Sequence, residues 1–243
     1  MAAAQTMPTS QASRASLERA LALHGLRLRG GWVPAPNDAL PSLPGDRSAA
    51  VVWMVGQVGS ECWPVFAASS FFSDGQPDPM DRWSKSIGNA LAQELGGRAI
   101  YPSDGPPYRP FQQWAARAEP VLQSPIMLQI HPEFGLWHAF RFALALPELR
   151  PEDAREISRA AQLASPDLCL SCNGQPCLNA CPVQAFTGST YEVDTCANHL
   201  HRAQGQLCMQ TGCQARLACP VAVEYRYVPE HAAFHMAAFA RRH

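Results

Sequence analysis

The sequence predicts an α/β (α+β) sandwich followed by a small, loop-rich cysteine domain. Three observations carry that expectation. Apolar or alternating runs of strand length recur at residues 50–55, 126–130 and 137–146, separated by helix-patterned segments. Eight of the nine cysteines lie between residues 169 and 219. Proline, 22 residues in all, gathers in connecting stretches at 33–44, 102–110 and 176–182, as in an ordered but loop-rich chain. With 243 residues there is room for one sizeable domain and a small one. The expected division is a disordered N-terminus over 1–15, an α/β domain over 16–165 and the cysteine domain over 166–243.

Each element has its own signal. Residues 1–15 are small and polar, which suits disorder. Ser16 reads as the cap of a short helix from Leu17 to His24, stopped by Gly25. Ala49 to Val55 is a continuous apolar run, the mark of a strand buried on both faces. From Asp81 a helix shows Trp83, Ile87, Leu91 and Leu95 every four residues and ends at Gly96-Gly97. Ala99 to Tyr101 is a short strand candidate. Phe111, Trp114, Ala115 and Ala118 mark a further amphipathic helix.

Ile126 to Ile130 is the next apolar run, followed by a turn at His131 to Gly135 and a strand from Trp137 to Leu146. In that strand His138, Phe140, Phe142, Leu144 and Leu146 alternate with Ala139, Arg141, Ala143 and Ala145, the period of two expected of a sheet. Pro151 opens a helix with Glu152 and Asp153 in its first turn, where acidic groups suit the helix dipole.

The cysteines carry the chemistry. The first group reads Cys169-x2-Cys172-x4-Cys177-x3-Cys181-Pro182, and the second reads Cys196, then Cys208-x4-Cys213-x5-Cys219-Pro220. A close-set run ending in Cys-Pro is how ferredoxins hold an iron–sulfur cluster, since each iron needs a thiolate. Eight cysteines in two such groups match the ligand count of two [4Fe-4S] clusters. In two-cluster ferredoxins the fourth cysteine of each run serves the other cluster. Crossed in that way, Cys169, Cys172, Cys177 and Cys219 form one set, and Cys181, Cys196, Cys208 and Cys213 the other. A short helix starting at Pro182 would turn Cys181 toward the second set. The spacing is irregular: x4 stands before Cys177 where x2 is usual, and x4 and x5 occur in the second group.

Zinc and disulfides compete for the same residues. His199, His201, His231 and His235 lie nearby, and zinc accepts Cys and His, but a single Cys-x2-Cys knuckle is present where zinc sites usually pair two. Disulfides belong to oxidising compartments, and the chain start shows no apolar leader core. A cytoplasmic location suits thiolates that must stay reduced. Net charge is −1 and no basic patch or long apolar span occurs, so neither nucleic acid nor a membrane is the expected partner.

Two stretches of the first domain carry a resemblance: Asp78-Pro79-Met80-Asp81 leading into the Trp83 helix, and Ile130-His131-Pro132-Glu133-Phe134-Gly135-Leu136-Trp137 before the long strand. They resemble the cobalamin-processing proteins, and the His-Pro-x-Phe-Gly turn is similar to one in epoxyqueuosine reductases and reductive dehalogenases. Those enzymes join a corrinoid-binding, nitroreductase-like domain to a two-cluster ferredoxin-like domain, and the domain order here is the same. The likeness covers roughly residues 50–220, with its specificity in the turn and the cysteine runs.

The resemblance implies a nitroreductase-like sandwich with a ferredoxin-like [4Fe-4S] domain, two clusters and a corrinoid (cobalamin). It also implies cofactor contact by His131, Phe134, Gly135, Trp137 and Arg141 at an apolar cleft. No segment aligns with the general acid of those enzymes, so the catalytic residues stay unknown. On the residues alone the ordinary reading is preferred, with Gly135 a turn glycine, Trp137 a core residue and His131 a satisfied loop histidine.

Lone Cys62 reads as a small buried residue. Asp78 and Asp81 read as turn and cap. His231 and His235, at i and i+4, make a weak metal signal.

The expected function is electron transfer, from a donor protein or flavoenzyme, through two clusters to a corrinoid or substrate held by the first domain. The alternatives are a pure ferredoxin-type carrier that docks a partner through that domain, and a zinc-stabilised binding module.

Overall fold

Val51–Val58 is the strand on which the molecule is built, and all eight of its residues are buried. A computed structural model describes residues 13–38, 40–160 and 167–243. In chain order the first part contains α1 (Arg14–Ala22), β1 (Arg27–Trp32), β2 (Val51–Val58), α2 (Trp63–Ala67), α3 (Ser70–Ser73) and α4 (Pro79–Glu94). Then come β3 (Arg98–Ile100), α5 (Phe111–Ala118), β4 (Leu122–Gln123), β5 (Gln129–Ile130), β6 (His138–Leu146) and α6 (Pro151–Ala160). The cysteine region holds α7 (Pro176–Asn179), α8 (Val193–Leu200), α9 (Gln206–Thr211), α10 (Gln214–Leu217) and α11 (Pro229–Ala240).

The fold is mixed α/β around a four-stranded sheet of order β1-β2-β6-β3, every pairing antiparallel. The two faces of β2 explain its unbroken apolar run. Val51, Trp53 and Val55 pack with Leu17 and Leu21 of α1 and with Trp83, Ile87 and Leu91 of α4. Val52 and Met54 pack with Trp114, Ala115 and Ala118 of α5. Helices therefore cover both faces, and each fully buried large side chain contributes about 1.5–3 kcal/mol.

Several expectations need correction. Ile126 to Ile130 is not a strand of the main sheet: Gln129–Ile130 pairs with Leu122–Gln123 in a separate two-stranded ribbon. The strand β1 was not anticipated, because Arg27-Leu28-Arg29-Gly30-Gly31-Trp32 has neither the alternation nor the apolar content of one. Residues 1–12 of the expected disordered tail lie outside the described residues. From Ser13 the chain enters α1, and Ser13 rather than Ser16 is its cap, its Oγ accepting the Ser16 N–H at 3.2 Å. The boundary placed at 165 also lies outside the described residues.

Helix α11 ties the two regions together. His231 is fully buried and stacks on Trp63, with ring centroids 5.0 Å apart, while Phe234 packs into the cluster of α1 and α4. Met236, Phe239 and Ala240 pack instead with Leu200 and Cys208.

Candidate functional site

Eight of the nine cysteines, Cys169 to Cys219, gather in the C-terminal region, and their side chains neighbour one another in two groups. Cys169 is pushed up to about 11, first by burial and then by Cys219, Cys177, Asp167 and Cys172. Cys177 in turn is raised by burial, then by Cys219 and Cys172. These four sulfur-bearing residues line one small cavity of about 20 Å³ with Pro220, Val221 and Leu136. In the second set, Cys208 and Cys213 are raised first by burial, and both also feel Cys196 and Cys181. Cys219 thus lies beside the first run, and Cys181 beside Cys196, Cys208 and Cys213.

The loops present N–H groups to the sulfurs. Ala185 N–H donates to Cys181 Sγ at 3.3 Å. Burial raises Cys219, Cys208 and Cys213, and the nearby backbone N–H groups of Val221, Gln214 and Arg216 respectively offset part of that rise. The Tyr191 hydroxyl donates to Cys196. No helix starts at Pro182: the chain makes a turn there, Gln184 takes a φ of +51°, and the helix of that segment is α7, which precedes Cys181. Cys181 reaches the second set through that turn.

All nine cysteines are free thiols. Among the described residues, no three His, Cys, Asp or Glu side chains are grouped to hold a metal ion.

The turn from His131 to Gly135 is a joint between sheet and cysteine region. Gly135 has a φ of +55°, and a Cβ there would lie 2.5 Å from the Val221 carbonyl oxygen. Phe134 meets Tyr225 edge to face at 5.5 Å, and Arg216 Nε donates to the Leu136 carbonyl at 3.1 Å. Glycine was expected here for the approach of a planar cofactor; what approaches it is the backbone that follows Cys219-Pro220.

His131 stacks on Phe134 at 4.5 Å, and its Nδ1 accepts the N–H of Glu133 and of Phe134. Burial pushes His131 down to about 4. Trp137 is buried at 2% exposure, with Arg216 over its ring at 4.9 Å.

The five expected contact residues therefore do not share one cleft. His131 and Phe134 line a cavity of about 510 Å³ on the β1 side, with Arg27, Arg29 and Glu119. There Arg29 Nε donates to Glu119 Oε1 at 2.7 Å, a buried ion pair. Arg141 lines a different cavity, of about 480 Å³, at the junction with the cysteine region.

Arg141 reaches that second cavity because of a β-bulge. Val55 pairs with Phe142 and Gly56 with Phe140, which leaves Arg141 as the extra residue of β6. Gly56 permits the close approach, since a Cβ there would lie 2.3 Å from the Ala139 carbonyl oxygen. The bulge also puts Phe140 beside Ala143 and Ala145 rather than with Phe142 and Leu144, against the expected alternation.

A polar relay runs inward from Arg141. Its Nε donates to Gln57 Oε1 at 2.8 Å, so Gln57 Nε2 is the donor to His231 Nε2 at 3.2 Å. His231 must then carry its proton on Nδ1, which donates to Ser60 Oγ at 3.0 Å. His235 Nε2, 3.1 Å from His231 Nε2, is the donor of that pair. Both rings are neutral, burial and then Arg141 pushing His231 down to about 3 and His235 to about 2. Pointed at each other in this way, the two histidines serve packing and hydrogen bonding. Cys62 joins the relay as a buried thiol donating to Gln57 Oε1 at 3.0 Å. Asp78 occupies the cap position of α4 but pairs with Arg242 at 2.5 Å instead of capping.

Arg216, Tyr227 and His235 complete the cavity around Arg141, and sequence reasoning did not associate them. The available signal was a single charge, Arg141, on the alanine side of an alternating strand. A second was the placement of Arg216 between Cys213 and Cys219. No protein-family model matches the chain, and no curated protein matches it.

Proposed function

We propose that the protein is an iron–sulfur redox protein with two [4Fe-4S] clusters, one on Cys169, Cys172, Cys177 and Cys219, the other on Cys181, Cys196, Cys208 and Cys213. The observation that carries this reading is the grouping of eight thiols, Cys219 beside the first run and Cys181 beside Cys196, Cys208 and Cys213, with the Ala185 N–H donating to Cys181 Sγ. A single zinc ion needs its ligands converged at about 2.0–2.3 Å. A cubane instead takes one thiolate per iron, so its cysteines ring a space, as the first set rings the cavity under Pro220. Bound there, the clusters would supply one-electron transfer, with potentials set by burial and by N–H and O–H donors such as Tyr191.

The chain's own residues do the rest. Ile126, Ile130 and Leu136 pack with Cys181 and Cys219 and keep water from that side of the site. Leu170, between Cys169 and Cys172, is 82% exposed and offers an apolar surface to an electron donor, protein or flavoenzyme. Arg216 touches both sites, bearing electrostatically on Cys219 and lining the cavity with Arg141. That cavity is the place for the electron acceptor.

The resemblance implies a corrinoid acceptor. A volume of about 480 Å³ lies within the range of drug-sized sites, and a corrinoid would enter it only in part. The geometry therefore favours a smaller acceptor. Anaerobic purification tests the main reading: about eight irons and as much sulfide per chain, with broad visible absorption, are expected. Stoichiometric zinc without iron contradicts it. In the same preparation, a cobalamin titration that perturbs the corrinoid spectrum would restore the larger acceptor.

A further inference from the structure

The cavity between β6 and the C-terminal segment combines two guanidinium groups with aromatic walls and contains no acid. Arg141 and Arg216 both line it, and its lining includes no Asp or Glu. Among the described residues, neither arginine has a carboxylate within salt-bridge distance, in contrast to the buried Arg29, which pairs with Glu119.

Both guanidiniums are already positioned. Arg141 is fixed through Nε by Gln57. Arg216 is fixed through Nε and Nη2 by the Leu136 carbonyl and lies 4.3 Å over the Tyr227 ring. Each keeps at least one terminal nitrogen for which no protein partner is found among the described residues. Unpaired cations are costly to hold at a partly buried surface, and arginine forks match the two oxygens of a carboxylate or phosphate. Phe140, Phe111 and Tyr227 give the same cavity flat apolar surface. His138 and His235 add polar edges without adding charge, burial pushing them down to about 3 and about 2.

We infer that this cavity binds a small planar molecule bearing a carboxylate or phosphate, held by Arg141 and Arg216 with its ring against the aromatic wall. The inference deepens the reading that the cavity holds the electron acceptor, and it names the acceptor's class. Binding here would bring an unsaturated anion beside Arg216, and so beside the Cys219 set.

The test is calorimetric titration of the anaerobically purified full-length protein with benzoate, phenyl phosphate and neutral benzamide. Either anion, or both, should bind at least tenfold more tightly than benzamide; which of them does identifies the oxyanion. Arg141→Gln should weaken the anions at least tenfold. Leu128→Glu should do likewise by placing a competing carboxylate at the rim, where the side chain is 41% exposed and the fold is not at stake. Equal binding of benzamide, no binding of either anion, or anion binding unchanged in Leu128→Glu would overturn the inference. Iron content of the same preparation is read independently. Anion binding without iron would sink the cluster reading alone, and iron without anion binding would sink this one alone.

Discussion

Gly135 and Val221 meet backbone to backbone, one at the end of the His-Pro-x-Phe-Gly turn and the other two residues after Cys219. The contact leaves no room for a side chain: a Cβ on Gly135 would stand 2.5 Å from the Val221 carbonyl oxygen, and its φ of +55° disfavours any L side chain. Sheet and cysteine region are thus set against each other by a glycine. Gly135→Ala should cost on the order of 1–3 kcal/mol through strain and displaced backbone. Urea unfolding would read the loss, and iron retention should fall with it; unchanged stability would show that the joint is soft.

The buried pair beneath the turn is a second dependence. Arg29 is 4% exposed and its fork meets the Glu119 carboxylate, which also accepts the Gly30 N–H at 2.9 Å. Replacing Glu119 by Gln leaves a buried guanidinium without its counter-charge, a change of about 3–5 kcal/mol. The expected outcome is a large drop in the urea midpoint. Glu119→Gln and Arg29→Met together should recover part of the loss, and a double variant worse than the single would contradict the pairing.

Much of the sheet was legible, and its failures have physical causes. The run Val51 to Val55 is apolar without a break and of strand length, which suits a strand covered on both sides. The alternation in β6 holds from Phe142 to Leu146, where the neighbouring strand is regular. It fails at Arg141, where the bulge opposite Gly56 adds a residue and reverses the faces. Strand β1 was hidden because its stability comes from Arg29 pairing with Glu119 and from glycines that admit α5. A Cβ on Gly30 would lie 1.9 Å from the Ala118 carbonyl oxygen. Cysteine spacing carries the expectation of two sets of four thiols. It could not reveal the arginine cavity, whose residues 141, 216 and 235 meet only through the tertiary fold.

Acid should unfold this protein early. His131, His138, His231 and His235 are all held below the ordinary histidine value, chiefly by burial. Their folded values lie below the unfolded one, so the stability they contribute is complete above about pH 6.5 and is lost as the pH falls toward their folded values. One unit below 6.5, each such buried histidine forfeits about 1.4 kcal/mol. Urea unfolding at pH 7.5 and 5.5 should therefore differ by several kcal/mol, with His231→Gln reducing the difference. Equal stability at the two pH values would mean that these rings are charged or exposed.

The crossed division of the cysteines is the central claim, and a pair of double variants tests it most directly. Iron per chain is measured after anaerobic purification of Cys169→Ser/Cys219→Ser and of Cys181→Ser/Cys219→Ser. With Cys169 and Cys219 on one cluster, the first variant loses that cluster only and keeps about four irons. The second strikes both clusters and keeps almost none. If Cys219 belonged with its sequence neighbours Cys196, Cys208 and Cys213, the first variant would lose both clusters, and an iron content near zero there would contradict the account.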